Sequence, residues 1–90
     1  MTVTVSVPTI LRTYTGDRKR VEASGSTLDA VIADLDAQFP GLGGRLVDDG
    51  KLHRFVNVYV GDEDVRFTGG LETPVGEDDS VTILPAVAGG

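Results

Sequence analysis

Only one stretch of this 90-residue chain carries a helical repeat, and that scarcity limits what the rest can do. Leu28, Val31, Ile32, Leu35 and Phe39 recur at i, i+3, i+4, i+7 and i+11, while Asp29, Asp34, Asp36 and Gln38 fall off the stripe. Gly25-Ser26 opens the segment, with Ser26 placed to cap it and Asp29 favouring the positive helix N-terminus; Pro40-Gly41 stops it. A lone amphipathic helix cannot bury its own stripe, so the remaining segments must supply a sheet for it to cover. A chain of this length has room for one core and no deep cavity.

The strands are legible by their period of two. Thr2 to Val7 alternates strictly, with Val3, Val5 and Val7 on one side and Thr2, Thr4 and Ser6 on the other, and Pro8 ends it. After a loop through Tyr14 to Asp17, Lys19 to Ala23 reads as a shorter, more polar strand at a sheet edge, hairpinned to the first. Gly41 to Leu46 is expected to form a turn or short 3₁₀ element, and Asp48-Asp49-Gly50-Lys51 a polar loop. Arg54 to Val60 is the clearest strand, with Val56, Val58 and Val60 opposed to Phe55, Asn57 and Tyr59. Val65-Arg66-Phe67 reads as a brief strand, and Ser80 to Leu84 as the last, closed by Pro85. The glycines of Gly69-Gly70 serve a turn, because no strand-loop-helix context surrounds them.

The order is strand, strand, helix, strand, short strand, strand. Pairing the last strand in parallel beside the first gives an α+β chain of the β-grasp type: a mixed sheet of four to five strands with one main helix on one face. Residues 1–85 form the domain and 86–90 a flexible tail.

Composition removes several classes of function. A formal net charge of -6 argues against a nucleic-acid partner and suits a positively charged protein better. There is no cysteine, hence no thiol nucleophile, disulfide or thiolate metal site. The first residues have neither a basic region nor a long apolar run, so neither a signal peptide nor a membrane span is expected, and the cytoplasm is the default location. His53 is the single histidine and reads as an ordinary loop or strand-start residue. The acidic groups Asp48-Asp49, Asp62 to Asp64 and Glu77 to Asp79 do not follow the EF-hand spacing; they read as solvated loops that could steer the chain towards a basic partner surface, and no metal site is expected.

Chemistry is left to the end of the chain, Ala86-Val87-Ala88-Gly89-Gly90. Glycine leaves the terminal carbonyl unshielded, and five extended residues span about 17 Å, enough to thread a narrow channel. A Gly-Gly end arises by chance in roughly 0.5% of chains, so the fold behind it has to decide its meaning.

Taken together, the element order and Gly89-Gly90 resemble the ubiquitin-like sulfur carriers of the ThiS and MoaD type. Val7-Pro8-Thr9-Ile10-Leu11-Arg12, the run Lys51 to Asp64, and Val81 to Gly90 are similar to the branch that serves cysteine biosynthesis. The resemblance implies that Gly90 is the covalent attachment point and that the chain is a co-substrate, not an enzyme. An ATP-dependent activating enzyme of the E1-like type would adenylate the Gly90 carboxylate, and a sulfur donor would displace AMP to leave a thiocarboxylate. A pyridoxal-phosphate-dependent cysteine synthase would then present an aminoacrylate made from O-phosphoserine, and a zinc metalloprotease would release cysteine from the carrier. ATP, pyridoxal phosphate and zinc thus belong to the partners, and no cofactor to this chain. The alternatives are a carrier for thiamin or molybdopterin synthesis, a ubiquitin-like protein modifier, and a structural adaptor whose tail does nothing. Phe55, Tyr59 and Leu84, on the sheet face away from the helix, are the candidate partner surface.

Overall fold

The computed structural model describes residues 2–53 and 56–85. Strand β1 (Val3–Ser6) buries Val3 and Val5 and turns Thr4 to solvent, as its alternation requires. Pro8 then starts a 3₁₀ segment, Thr9–Tyr14, which drops Leu11 into the core and leads to β2 (Arg20–Ala23). The two strands pair antiparallel from Val3↔Ala23 to Ser6↔Arg20. On the outer edge of β2, the Gln38 side-chain amide donates to the Glu22 carbonyl at 2.9 Å, occupying an acceptor that an exposed strand edge would otherwise offer to another chain.

Helix α1 (Leu28–Gln38) buries Leu28, Val31, Ile32 and Leu35. Its cap is Thr27, whose Oγ1 accepts from the Ala30 N–H at 3.3 Å, and not Ser26 as the sequence suggested. The reason is tertiary: the Ser26 carbonyl accepts from Val75 N–H at 2.9 Å, which holds Ser26 outside the first turn. Just upstream the helix comes so close to Gly25 that a Cβ there would lie 2.6 Å from the Val31 nitrogen, so only glycine fits. Phe39 is the C-cap rather than part of the helix, and is half-buried against the core.

The Gly41 to Leu46 stretch is a short α-helix, α2 (Leu42–Leu46), not a 3₁₀ turn. The expected polar loop after it is a tight hairpin of β3 (Val47–Asp48) and β4 (Lys51–Leu52), turned by Asp49 and Gly50 at φ 54° and 77°. Two successive residues with positive φ are the mark of a type I′ hairpin turn.

Strand β5 (Val56–Val60) buries Val58 and sets Val56 and Val60 against the core, with Asn57 and Tyr59 on the other face. A two-residue strand β6 (Glu63–Asp64) follows, and Val65–Phe67 is a 3₁₀ turn where a strand was expected. Asp64 makes the difference, since its Oδ1 accepts from the Arg66 N–H at 2.9 Å and so caps the turn. The turn sends Val65 into the core and Phe67 outward, 85% exposed.

Strand β7 (Ser80–Pro85) completes a five-stranded sheet in the order β2-β1-β7-β5-β6. It runs parallel to β1 (Thr4↔Ser80 to Ser6↔Thr82) and antiparallel to β5 (Val56↔Pro85 to Val60↔Val81). This is the mixed sheet of the β-grasp expectation, with α1 over one face.

Two outcomes test these assignments. Thr27→Ala should cost about 1 kcal/mol and lower the melting temperature by roughly 4–8 °C, whereas Ser26→Ala should stay within about 0.5 kcal/mol of the parent in the same thermal melts. The Arg66 side chain and backbone N–H both hydrogen-bond Asp64 and hold its carboxyl below the usual carboxylate range. That stabilisation is present above the unfolded carboxylate pKa and lost as pH falls through the lower folded one. Asp64→Asn should therefore lower stability at neutral pH, and the gap should begin to narrow below about pH 4 in urea titrations.

Candidate functional site

The feature to which the sequence assigns chemistry begins where β7 ends. Strand β7 lies between β1, which pairs with Ser80 to Thr82, and β5, which pairs with Val81 to Pro85. Pro85 is still in register with Val56, which means the sheet fixes the chain as far as residue 85. Proline closes the strand rather than preceding the tail as a free residue, and the lack of an N–H is tolerated at such a terminal position. The proposed attachment point Gly90 and the tail residues Ala86, Val87, Ala88 and Gly89 lie outside the described residues, as does Phe55.

Alternation along β7 sorts the surface around this exit. Val81 and Ile83 point into the core, while Thr82 and Leu84 face the side away from α1. Register puts Asn57 opposite Leu84 and Tyr59 opposite Thr82, so Tyr59 and Leu84 of the candidate partner surface do share one face. Leu84 is 44% exposed and Tyr59 half-buried. Between them Asn57 keeps its Oδ1 buried with no hydrogen-bond partner among the described residues.

Sequence reasoning missed Ile10 as a surface residue. It stands 64% exposed on the 3₁₀ segment. Together with Leu84, Leu11, Val56, Arg45 and His53 it lines a hollow of about 280 Å³. The available signal was an isoleucine after Pro8 with no strand or helix period to bury it. Arg45 is fixed in place: its Nε donates to Tyr14 Oη at 2.8 Å, and its guanidinium stands 5.9 Å from the centre of the Tyr14 ring. Arg12 Nε donates to the Val7 carbonyl at 3.1 Å on the same side. Both cations therefore rest on neutral acceptors.

Two of the three acidic groups lie elsewhere. Gly61 N–H bonds the Ser80 carbonyl, which places the Asp62 to Asp64 turn and the Glu77 to Asp79 loop together at the start of β7, at the opposite end of the strand from Pro85. Among the described residues the one ion pair, Arg66 to Asp64 at 2.8 Å, belongs to that end, and no group of three His, Cys, Asp or Glu is arranged to hold a metal ion. None of the described helices is long and apolar enough to cross a membrane.

The exit of β7, the Leu84 face and the Ile10 hollow lie together at one end of the sheet. Substituting their exposed parts should leave the fold intact: Ile10→Asp and Leu84→Asp should each change stability by under about 0.5 kcal/mol in denaturant melts, whereas Tyr59→Asp, whose ring is half-covered, should cost more.

Comparison with known proteins agrees with this geometry. The family model described as "ThiS family" matches residues 5–90. The sulfur carrier protein CysO of Mycobacterium tuberculosis is 66% identical over 93 aligned residues covering 100% of both chains. Its crystal structure superposes with a TM-score of 0.92 at 65% identity, over 94% of this chain and 99% of that one. A chain in the crystal structure of the Amycolatopsis orientalis BexX/CysO complex matches at 61% identity with a TM-score of 0.93, covering 98% and 99% of the two chains. Small archaeal modifier protein 3 of Haloferax volcanii is more distant, 37% identical over 65 residues, which is 72% of this chain and 71% of that protein.

Proposed function

This chain belongs to the ThiS family, and on that footing we propose that it is a sulfur carrier whose Gly90 carboxylate is the working group. The observation that carries the reading is the central position of β7: the last strand is held by β1 from Ser80 to Thr82 and by β5 as far as Pro85, so the sheet fixes the chain up to the point where the tail begins. The full-length likeness to CysO supports the same reading.

The chemistry follows from the carboxylate. With a pKa near 3.5 it is an anion at neutral pH and a poor electrophile, so it needs activation. Attack of its oxygen on the α-phosphorus of ATP would expel pyrophosphate and give an acyl-adenylate. A sulfur nucleophile would then expel AMP and leave a thiocarboxylate. In this scheme an E1-like enzyme supplies the ATP chemistry. A pyridoxal-phosphate-dependent synthase would take the sulfur for cysteine made from O-phosphoserine, and a zinc metalloprotease would cut the product free. The chain itself contributes no acid, base or metal, only an accessible terminus and a surface by which partners know it.

A second reading, conjugation to protein lysines as a modifier, is favoured by the likeness to small archaeal modifier protein 3. It uses the same activated carboxylate and differs in the acceptor, an amine rather than sulfur.

Intact-mass measurement after incubation with the activating enzyme, ATP and a sulfur source should give a gain of about 16 Da, oxygen replaced by sulfur, and deletion of Gly90 should abolish it. An isopeptide to a partner lysine in place of that gain would select the modifier, and neither product would defeat both readings.

A further inference from the structure

We infer that the end of the sheet where the tail departs docks on an acidic surface of a protein partner, with one bulky apolar side chain of that partner seated between Ile10 and Leu84. The inference rests on the carrier reading for why a partner comes to this end, and on the fold for everything else.

A net charge of -6 suggests the opposite, but it is an average over two unlike ends. Strand register works as a ruler: Ser80, Val60 and Thr4 lie at one end of the sheet, Pro85 and Val56 at the other. Asp62, Glu63, Asp64, Glu77, Asp78 and Asp79 collect at the first end, next to Ser80. The β1–β2 connection lies at the second, since Val7 N–H bonds the Lys19 carbonyl and Arg20 is the partner of Ser6. It brings Arg12, Arg18, Lys19 and Arg20 there, and Arg45 joins them across the hollow. Among the described residues, three carboxylates lie near these cations: Asp17, in the same connection; Asp36, whose Oδ1 already accepts from the N–H groups of Gly41 and Gly43 at 3.2 and 3.0 Å; and Glu22, two residues from Arg20 on the exposed face of β2, whose Oε2 accepts from Thr2 Oγ1 at 3.2 Å.

Distance decides which charges a partner feels. From Ser80 to Pro85 the strand rises about 17 Å at about 3.3 Å per residue. The screening length in physiological salt is about 8 Å. A surface meeting the tail end therefore responds to the local cations, and the distant carboxylates are screened from it. None of those cations belongs to an ion pair among the described residues; Arg18, Lys19 and Arg20 are exposed, while Arg12 and Arg45 each commit one donor to a neutral acceptor. The hollow supplies the rest: a polyanion such as RNA would answer the arginines but not the apolar gap between Ile10 and Leu84, which calls for a protein side chain.

The probe is BexX of Amycolatopsis orientalis, present in a complex whose matching chain is 61% identical to this one. Association and dissociation rates would be measured for the full chain at low and high salt. Arg18→Glu/Arg20→Glu, both exposed, should slow association by about fivefold or more with dissociation nearly unchanged and weaken the salt dependence, because rim charges act on encounter. Asp62→Lys/Asp78→Lys should leave the association rate within about twofold, and Ile10→Ser should raise the dissociation rate by about fivefold. Melting curves of each variant separate these effects from unfolding.

An unchanged association rate in the arginine pair, or slowing by the far-end pair instead, overturns the inference. A parent chain that ignores BexX and binds single-stranded RNA overturns it in favour of nucleic acid, and one that binds neither overturns it outright. The mass measurement is independent: charge-dependent BexX binding without the 16-Da gain defeats the carrier chemistry alone, and the gain without charge dependence defeats the docking inference alone.

Discussion

The parallel pairing of β1 with β7 holds this molecule in its working shape. It joins Thr4 to Ser80 and Ser6 to Thr82, residues from opposite ends of the sequence, and so closes nearly the whole chain into one loop. A parallel pair cannot be made by a hairpin and needs a long connection passing over one face, which is the place α1 occupies. Because β2 covers the far edge of β1 and β5 the far edge of β7, the last strand is central rather than peripheral. Leu28, Val31 and Leu35 then bury against a sheet whose middle is formed by the first and last strands, so the core and the aim of the chain end depend on the same contact.

Elements with a sustained period could be read from sequence, and those made by one long-range contact could not. The valines of β1 and β5 and the stripe of α1 declare their faces because burial on one side of a regular element repeats every two or 3.6 residues. Ser26 looked like the better cap by position, yet Val75 binds its carbonyl and hands the role to Thr27. Val65-Arg66-Phe67 has strand composition, but a single Asp64 side chain reaching the Arg66 N–H turns it into a 3₁₀ segment. The β3–β4 hairpin is two residues a side, too short for alternation to show.

The candidate site divides the same way. Leu84 and Tyr59 could be placed on one face from strand parity alone, and the structure keeps them there. Ile10 and the hollow beside it could not, because they arise where a 3₁₀ segment, a short helix and two strands meet. Net charge is a sum and does not carry position. Counting residues gives an acidic protein, whereas knowing that the 62–64 turn and the 77–79 loop share an end requires the β5–β7 register.

Charge segregation also bears on how such a carrier is told from its relatives. A Gly-Gly terminus is common to sulfur carriers and modifiers, so it cannot by itself direct one chain to one client. Specificity is a difference of affinities, and with the terminus held constant that difference must come from the surface around it. The residues free to vary there without disturbing the core are the exposed ones: Ile10, Leu84 and the Arg18 to Arg20 rim. Since Pro85 is tethered to Val56, a partner that accepts the tail comes within five residues, about 17 Å at most, of the end of β7. The glycines can therefore stay generic while the platform behind them carries the address.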